Sequence, residues 1–230
     1  MLGFIFGRTR HNGVASGGGG ATTPSWIAVG TADTTGTASV VPEYGTNVSG
    51  DLFVMVVGGR MTALTTPAGW TLQGGPNDLG GRRMYLLTRD TRSTGGETGT
   101  VSVTLTANSC VATIHTFRNV ATSSFVEDVS TTGSAANGNG PLAPAITASG
   151  NNRLAIFASA DGNMVTYLDD ISGETGGTWV LRATALTGTG NNSSYGLYTA
   201  ALDSGGTITG GAGAVTLDEH SVVGFALVGV

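Results

Sequence analysis

Along the chain, apolar residues come in short runs separated by clusters of Gly, Thr, Ser and Asn, and no segment sustains helical spacing. Leu52–Val57 is apolar without a break, the pattern of a strand buried on both faces. Thr100–Thr106 alternates Val and Leu with Thr and Ser, the pattern of an antiparallel strand with one face in water. Runs of this kind bounded by turn residues predict strands near 26–30, 37–42, 51–58, 83–90, 100–106 and 110–118. A second series follows near 125–129, 142–147, 153–159, 179–183, 195–202, 214–218 and 221–228. The expected fold class is all-β.

The two series resemble each other. Thr34-Thr-Gly-Thr-Ala-Ser39 is similar to Thr131-Thr-Gly-Ser-Ala-Ala136, and Ser49-Gly-Asp-Leu-Phe-Val-Met-Val-Val57 to Ser149-Gly-Asn-Asn-Arg-Leu-Ala-Ile-Phe157. Gly69-Trp-Thr-Leu72 matches Thr178-Trp-Val-Leu181, and the Met84–Asp90 segment matches Leu197–Asp203, which aligns Trp70 with Trp179 and Tyr85 with Tyr198. Val101–Leu105 matches Ala214–Leu217, and Cys110–Phe117 matches Val222–Val228. The blocks keep their order, so the body divides into repeat halves 25–121 and 122–230. The junction 119–124 lacks linker composition. We therefore expect one antiparallel β-sandwich over 24–230, jelly-roll-like and built from two repeated halves, in preference to two tandem domains.

Composition narrows the function. Only 11% of residues are charged, against about 25% in an average domain. With 40% hydrophobic residues the chain can still build a core, which excludes a charged disordered tail. The 39 glycines have no three-residue period, which excludes collagen. All ten basic residues are Arg and the net charge is −5. Without Lys there is no Walker-type phosphate loop, and the Arg82, Arg83, Arg89, Arg92 cluster reads as a solvated strand face, so no nucleic-acid partner is expected. Cys110 has no internal disulfide partner and lies in an apolar run, so it reads as a buried thiol.

Residues 1–23 differ from the body. Met1–Gly7 is apolar, Arg8 and Arg10 follow it, and Ser16–Gly20 is a flexible linker. The apolar run is too short for a secretory signal and its basic residues lie on the wrong side. No stretch approaches the roughly 20 apolar residues of a spanning helix, so no membrane insertion is expected. Exposed at the surface, Leu2, Phe4, Ile5 and Phe6 would each forgo about 1.5–3 kcal/mol of burial. We expect an extended docking arm that inserts these side chains into a neighbouring subunit, with Arg8 and Arg10 at the rim.

Few residues suggest chemistry. His11, His115 and His220 are scattered, and no second His or Cys stands at ligand spacing, so no metal and no cofactor are expected. Asp161, Asp169, Asp170 and Glu174 could form a glycosidase carboxylate pair, and Asp161-Gly-Asn163 with Asp169-Asp170 could ligate Ca²⁺, but solvated loop carboxylates are the simpler reading. Trp70 and Trp179 could stack on sugar rings, making them the candidate glycan contacts. Their matched positions in both halves fit core plugs better. The Asn-x-Ser matches at Asn47, Asn191 and Asn192 matter only in a secreted eukaryotic protein.

The elements Ser49-Gly-Asp-Leu, Pro67-Ala-Gly-Trp70, Tyr85-Leu-Leu, Gly99-Thr-Val-Ser-Val-Thr and Phe117-Arg-Asn-Val120, taken in order, resemble tailed-phage and prophage virion structural proteins of the tail-fibre, baseplate-associated or head-decoration type. The second copy departs from this pattern, with Asn151-Asn-Arg in place of Gly-Asp and Gly-Gly-Thr before Trp179. The resemblance implies a non-enzymatic protein on the virion surface, assembled in the host cytoplasm. Its partners would be capsid, portal or tail subunits reached through residues 1–20, and further copies of itself, with a trimer as the guessed state. It carries over no catalytic residues. The alternative expectation is a carbohydrate-binding adhesin that meets a host surface glycan.

Overall fold

In a computed structural model, residues 22–36, 38–134, 138–161, 166–187, 193–202, 205–213, 216–217 and 219–230 are described. The proposed docking residues Leu2, Phe4, Ile5, Phe6, Arg8 and Arg10 lie outside them. Ten principal strands form two antiparallel sheets. The first sheet contains β1 (Ser25–Val29), β2 (Leu52–Thr65), β3 (Trp70–Leu79), β4 (Arg82–Arg89) and β5 (Val103–Arg118), in the spatial order β1-β5-β2-β4-β3. The second contains β6 (Val126–Ser134), β7 (Arg153–Asp161), β8 (Val180–Leu186), β9 (Ser194–Leu202) and β10 (His220–Val228), in the order β6-β10-β7-β9-β8. Adding five to each label of the first order produces the second.

Alternation along the strands builds three apolar layers. On β2, Leu52, Val54 and Val56 face the partner sheet, where they meet Leu154, Ile156, Leu197, Phe225 and Leu227 in the central core. Phe53, Met55 and Val57 point the other way, under Val40, Val103 and Leu105. This explains the unbroken apolar run of β2: both its faces are covered. The second sheet has its own outer layer, with Phe157, Tyr198 and Trp179 beneath Ala143, Ile146, Tyr167 and Ile208. Short pairings carry that cover, Leu142–Ala143 with Gly211–Ala212 and Ile146–Ala148 with Gly206–Ile208. The sheets pack closely at Gly58, where a Cβ would lie 2.7 Å from the Ala160 Cβ.

Two of the predicted strands, 100–106 and 110–118, are one strand. β5 is continuous from Val103 to Arg118, but its register against β2 shifts twice around Met61. A one-residue slip turns side chains to the other face. Odd residues Val103 and Leu105 therefore share the outer layer with even residues Cys110, Ala112 and Ile114. β3 was not among the predicted strands, because Gly74-Gly75-Pro76 reads as a turn. It is an edge strand, where Pro is tolerated, and its register shifts between Leu72 and Asn77. The irregularity aims Asn77 at the second sheet. Its side-chain amide donates to the Thr132 carbonyl and, at 3.0 Å, to that of Val222.

The jelly-roll expectation needs correction. A jelly roll sends strands of one half into both sheets, whereas here residues 25–118 supply the whole first sheet and 126–228 the second. Alternation had indicated which faces are buried, and that holds for both topologies. In the first sheet Tyr85, Val57 and Ala112 stand opposite one another in one row. In the second, Tyr198, Phe157 and Gly224 do so. The matched tryptophans differ by two rows: Trp70 is opposite Arg89, while Trp179 precedes Val180, which is opposite Thr199. Register shifts in β3 and β8 account for the difference.

Candidate functional site

The strands run between two ends of the sandwich. At one, the Thr22 amide donates to the Val230 carbonyl and the Gly229 amide to that of Asn152 at 2.9 Å, so residue 22, which continues from the arm, is anchored there. At the other, about 27 Å away along β7 by strand rise, lie the β3–β4 turn, the β5 irregularity and the last residues of β2 and β7.

This second end holds a depression of about 360 Å³ lined by Arg60, Met61, Thr62, Gly80, Gly81, Arg82, Thr106 and Ala107. The hairpin turn Gly80–Gly81 forms one wall. Both its glycines have positive φ, 61° and 77°, as a two-residue turn between twisted strands requires. Arg60 and Arg82 are directly opposite on β2 and β4. Like charges in that position repel. Arg82 is compensated: it pairs with Glu219 at 2.9 Å and donates to the Gly80 carbonyl at 2.9 Å. The Arg60 guanidinium has no carboxylate partner among the described residues, and its Nε is shielded from water with no hydrogen-bond partner. Its backbone amide is held by Ser193 Oγ at 3.3 Å, so the second half buttresses the site. Sequence reasoning had placed Arg82 on a solvated face and passed over Arg60, because only the strand register brings the two together.

The predicted chemical residues lie elsewhere. Trp70 and Trp179 are 6% and 2% exposed, which corrects the glycan-contact reading: neither ring offers a face to a sugar. Trp179 instead packs edge-on against Phe157 at 4.7 Å, and Phe157 stacks on Tyr198. Cys110 is buried and desolvation pushes its pKa up, so the thiol stays protonated. His115 lies in the central core, where burial lowers its pKa to about 3 and keeps it neutral. Trp26 Nε1 donates to its Nδ1 at 3.3 Å, which places the ring proton on Nε2, facing Thr113 Oγ1 at 3.0 Å and the Tyr195 hydroxyl at 3.4 Å. The ring joins the sheets instead of binding a ligand.

The acidic candidates do not share one loop. Asp161 ends β7 and is fully buried, which corrects its reading as a solvated carboxylate. Exposed Asp169 accepts the Leu181 amide at 2.8 Å, and Glu174 is half-buried. Among the described residues, no carboxylate lines the depression. Among the described residues, no three His, Cys, Asp or Glu side chains group as metal ligands.

One constellation was missed. Ser194, Asp161 and His220 stand directly opposite one another across β9, β7 and β10, all with no exposure. The residue types are those of a nucleophilic triad, but the order is wrong. With strands about 4.8 Å apart, Ser194 and His220 flank Asp161 at about 9.6 Å from each other by backbone spacing, and a nucleophile must reach its base at about 2.6–3.2 Å. Tyr167 closes over this row, its hydroxyl donating to Ser159 Oγ at 3.3 Å. The row is internal polar structure.

The motif elements carrying the phage resemblance meet in the fold. Asp51, 1% exposed, receives a two-pronged bond from Arg118, Nε to Oδ1 at 2.8 Å and Nη2 to Oδ2 at 2.9 Å, and its Oδ2 also accepts the Val48 amide. The Gly-Asp-Leu and Phe-Arg-Asn-Val elements are thus two halves of one clamp. No family model, curated protein or solved structure matches the chain.

Proposed function

We propose that the chain is a non-enzymatic structural protein of a tailed-phage particle, displayed on its surface as a head-decoration or tail-fibre component. In this reading the sandwich is a duplicated five-stranded unit, residues 1–20 dock into capsid, portal or tail subunits, and the protein works as a homo-oligomer, a trimer by resemblance. Duplication is supported by the equal strand orders of the two sheets. It is supported again by the rows Tyr85–Val57–Ala112 and Tyr198–Phe157–Gly224, because three sequence matches with different offsets meet in one row.

The observation carrying the functional reading is the polarity of the body. Residue 22 leaves at one end, beside Val230, so an anchored arm would present the opposite end outward. The elements that resemble virion proteins are engaged in holding the scaffold, as the Asp51–Arg118 clamp illustrates. That suits a protein whose surface, and not a reaction centre, is its working part. Deleting residues 1–12 should leave the unfolding midpoint of the body unchanged and abolish incorporation into particles. Truncated protein that assembles at full occupancy would overturn the docking role.

A further inference from the structure

We propose that the depression around Arg60 is an anion site, taking one carboxylate or phosphate carried on a body about the size of a single sugar ring. This goes beyond a structural role and does not depend on it. The first ground is charge. Two arginines stand directly opposite each other on β2 and β4 and line the same depression, and the described carboxylate paired there, Glu219, is engaged by Arg82. Like charges directly opposite across strands destabilise each other, and Arg60, which has no carboxylate partner among the described residues, leaves a place for one more anion.

The second ground is shape. β2 and β5 lose register at Arg60/Met61 and again at Met61/Ala63. Such irregularities re-aim side chains and collect near binding sites. Here they widen the ladder into a depression of about 360 Å³, within the range of small-ligand sites. The third ground is the lining. Arg60 Nε lies shielded from water with no acceptor, while Thr62, Thr106 and the Gly80–Gly81 backbone supply neutral polar contacts and Met61 and Ala107 apolar ones. A guanidinium binds carboxylate or phosphate through paired, charge-assisted hydrogen bonds, and the neutral lining suits the uncharged part of the ligand.

The test uses the full chain. Its thermal midpoint is measured with galacturonate, glucose 6-phosphate, inorganic phosphate and neutral galactose, against sodium chloride at equal ionic strength. A ligand that binds only the folded state raises the midpoint. The expected result is a rise with the anionic sugars and none with galactose or chloride. Arg60→Gln should abolish that rise while its own midpoint in chloride stays level or increases, since the repulsion with Arg82 is gone. Arg83→Gln, at the same end but outside the lining, should keep the rise. Titration calorimetry then separates the sources: whichever of galacturonate and glucose 6-phosphate binds tighter by roughly tenfold or more identifies the anion. An equal rise in Arg60→Gln, an equal response to galactose, or no response to any oxyanion overturns the proposal.

Discussion

The two sheets share one strand order but are filled differently. In the first, β5 carries Thr113 and His115 on the face toward the partner sheet, tied to Trp26 and Tyr195 by hydrogen bonds. In the corresponding rows of the second, β10 carries Phe225 and Leu227. Outside the sheets the aromatic residues are arranged differently. Both outer layers carry aromatic residues, but in the second Phe157, Tyr198, Trp179 and Tyr167 pack against one another as one group, while in the first Tyr44 meets Phe53 and Trp70 and Tyr85 sit among aliphatic side chains. The clamp differs as well: Asp51–Arg118 in the first half, Glu127–Arg153 in the second. A strand order constrains which faces are buried, and many fillings satisfy it provided volume is kept and buried polar groups find partners.

Breaking the aromatic cover should have the largest effect. Trp179→Ala removes the ring packed on Phe157 and should cost about 3–5 kcal/mol, read from the urea midpoint. Because the central core draws on both sheets, the loss should shift one cooperative transition; two separate transitions would mean that the halves fold independently. Next comes the contact between sheets. Gly58→Val inserts atoms where even a Cβ would be 2.7 Å from Ala160, and we expect a cost of about 1–3 kcal/mol in the same assay.

The histidine contrast can be read by pH. The folded-state pKa of His115 is about 3, below the ordinary 6.5, so the unfolded chain binds the proton more readily. Its contribution is therefore fully present above pH 6.5 and is lost as pH falls toward 3, by up to about 1.4 kcal/mol per unit. His115→Leu, which copies Leu227 of the other half, should flatten that slope even if it lowers stability at neutral pH. A slope unchanged by the substitution would assign the pH dependence to other groups. The smallest effect is expected at Arg83, whose bond to Asp78 is partly exposed. Arg83→Gln should change stability by less than about 0.5 kcal/mol.

Legibility in the sequence followed the range of the interaction. The unbroken run of β2 and the alternation of Val103 and Leu105 announced their faces correctly, because strand period is a property of neighbours in the chain. β3 was hidden because Gly74-Gly75-Pro76 has turn chemistry; it pairs with β4 across a short hairpin, and the bond by which Asn77 in its irregular stretch reaches the other sheet spans 145 residues. The anion site was illegible for the same reason. Arg60 and Arg82 are unremarkable residues until β2 and β4 pair in the register that sets them face to face. The Trp70 and Trp179 ambiguity was also tertiary, since an aromatic residue beside a turn suits a core or a sugar equally until the cover above it is known.

By itself, then, the sequence determined that this protein is built of strands and which side chains alternate into apolar layers. Those follow from local backbone preference and the two-residue period of a strand. Only the tertiary structure decided that each half makes its own sheet, that Asp51 meets Arg118, that Ser194, Asp161 and His220 line up in an order unfit for nucleophilic chemistry, and that two arginines share one depression. Hydrophobic burial is non-directional, so it says that a face must be covered without saying by what. Long-range strand pairing, with its registers and irregularities, supplies that choice.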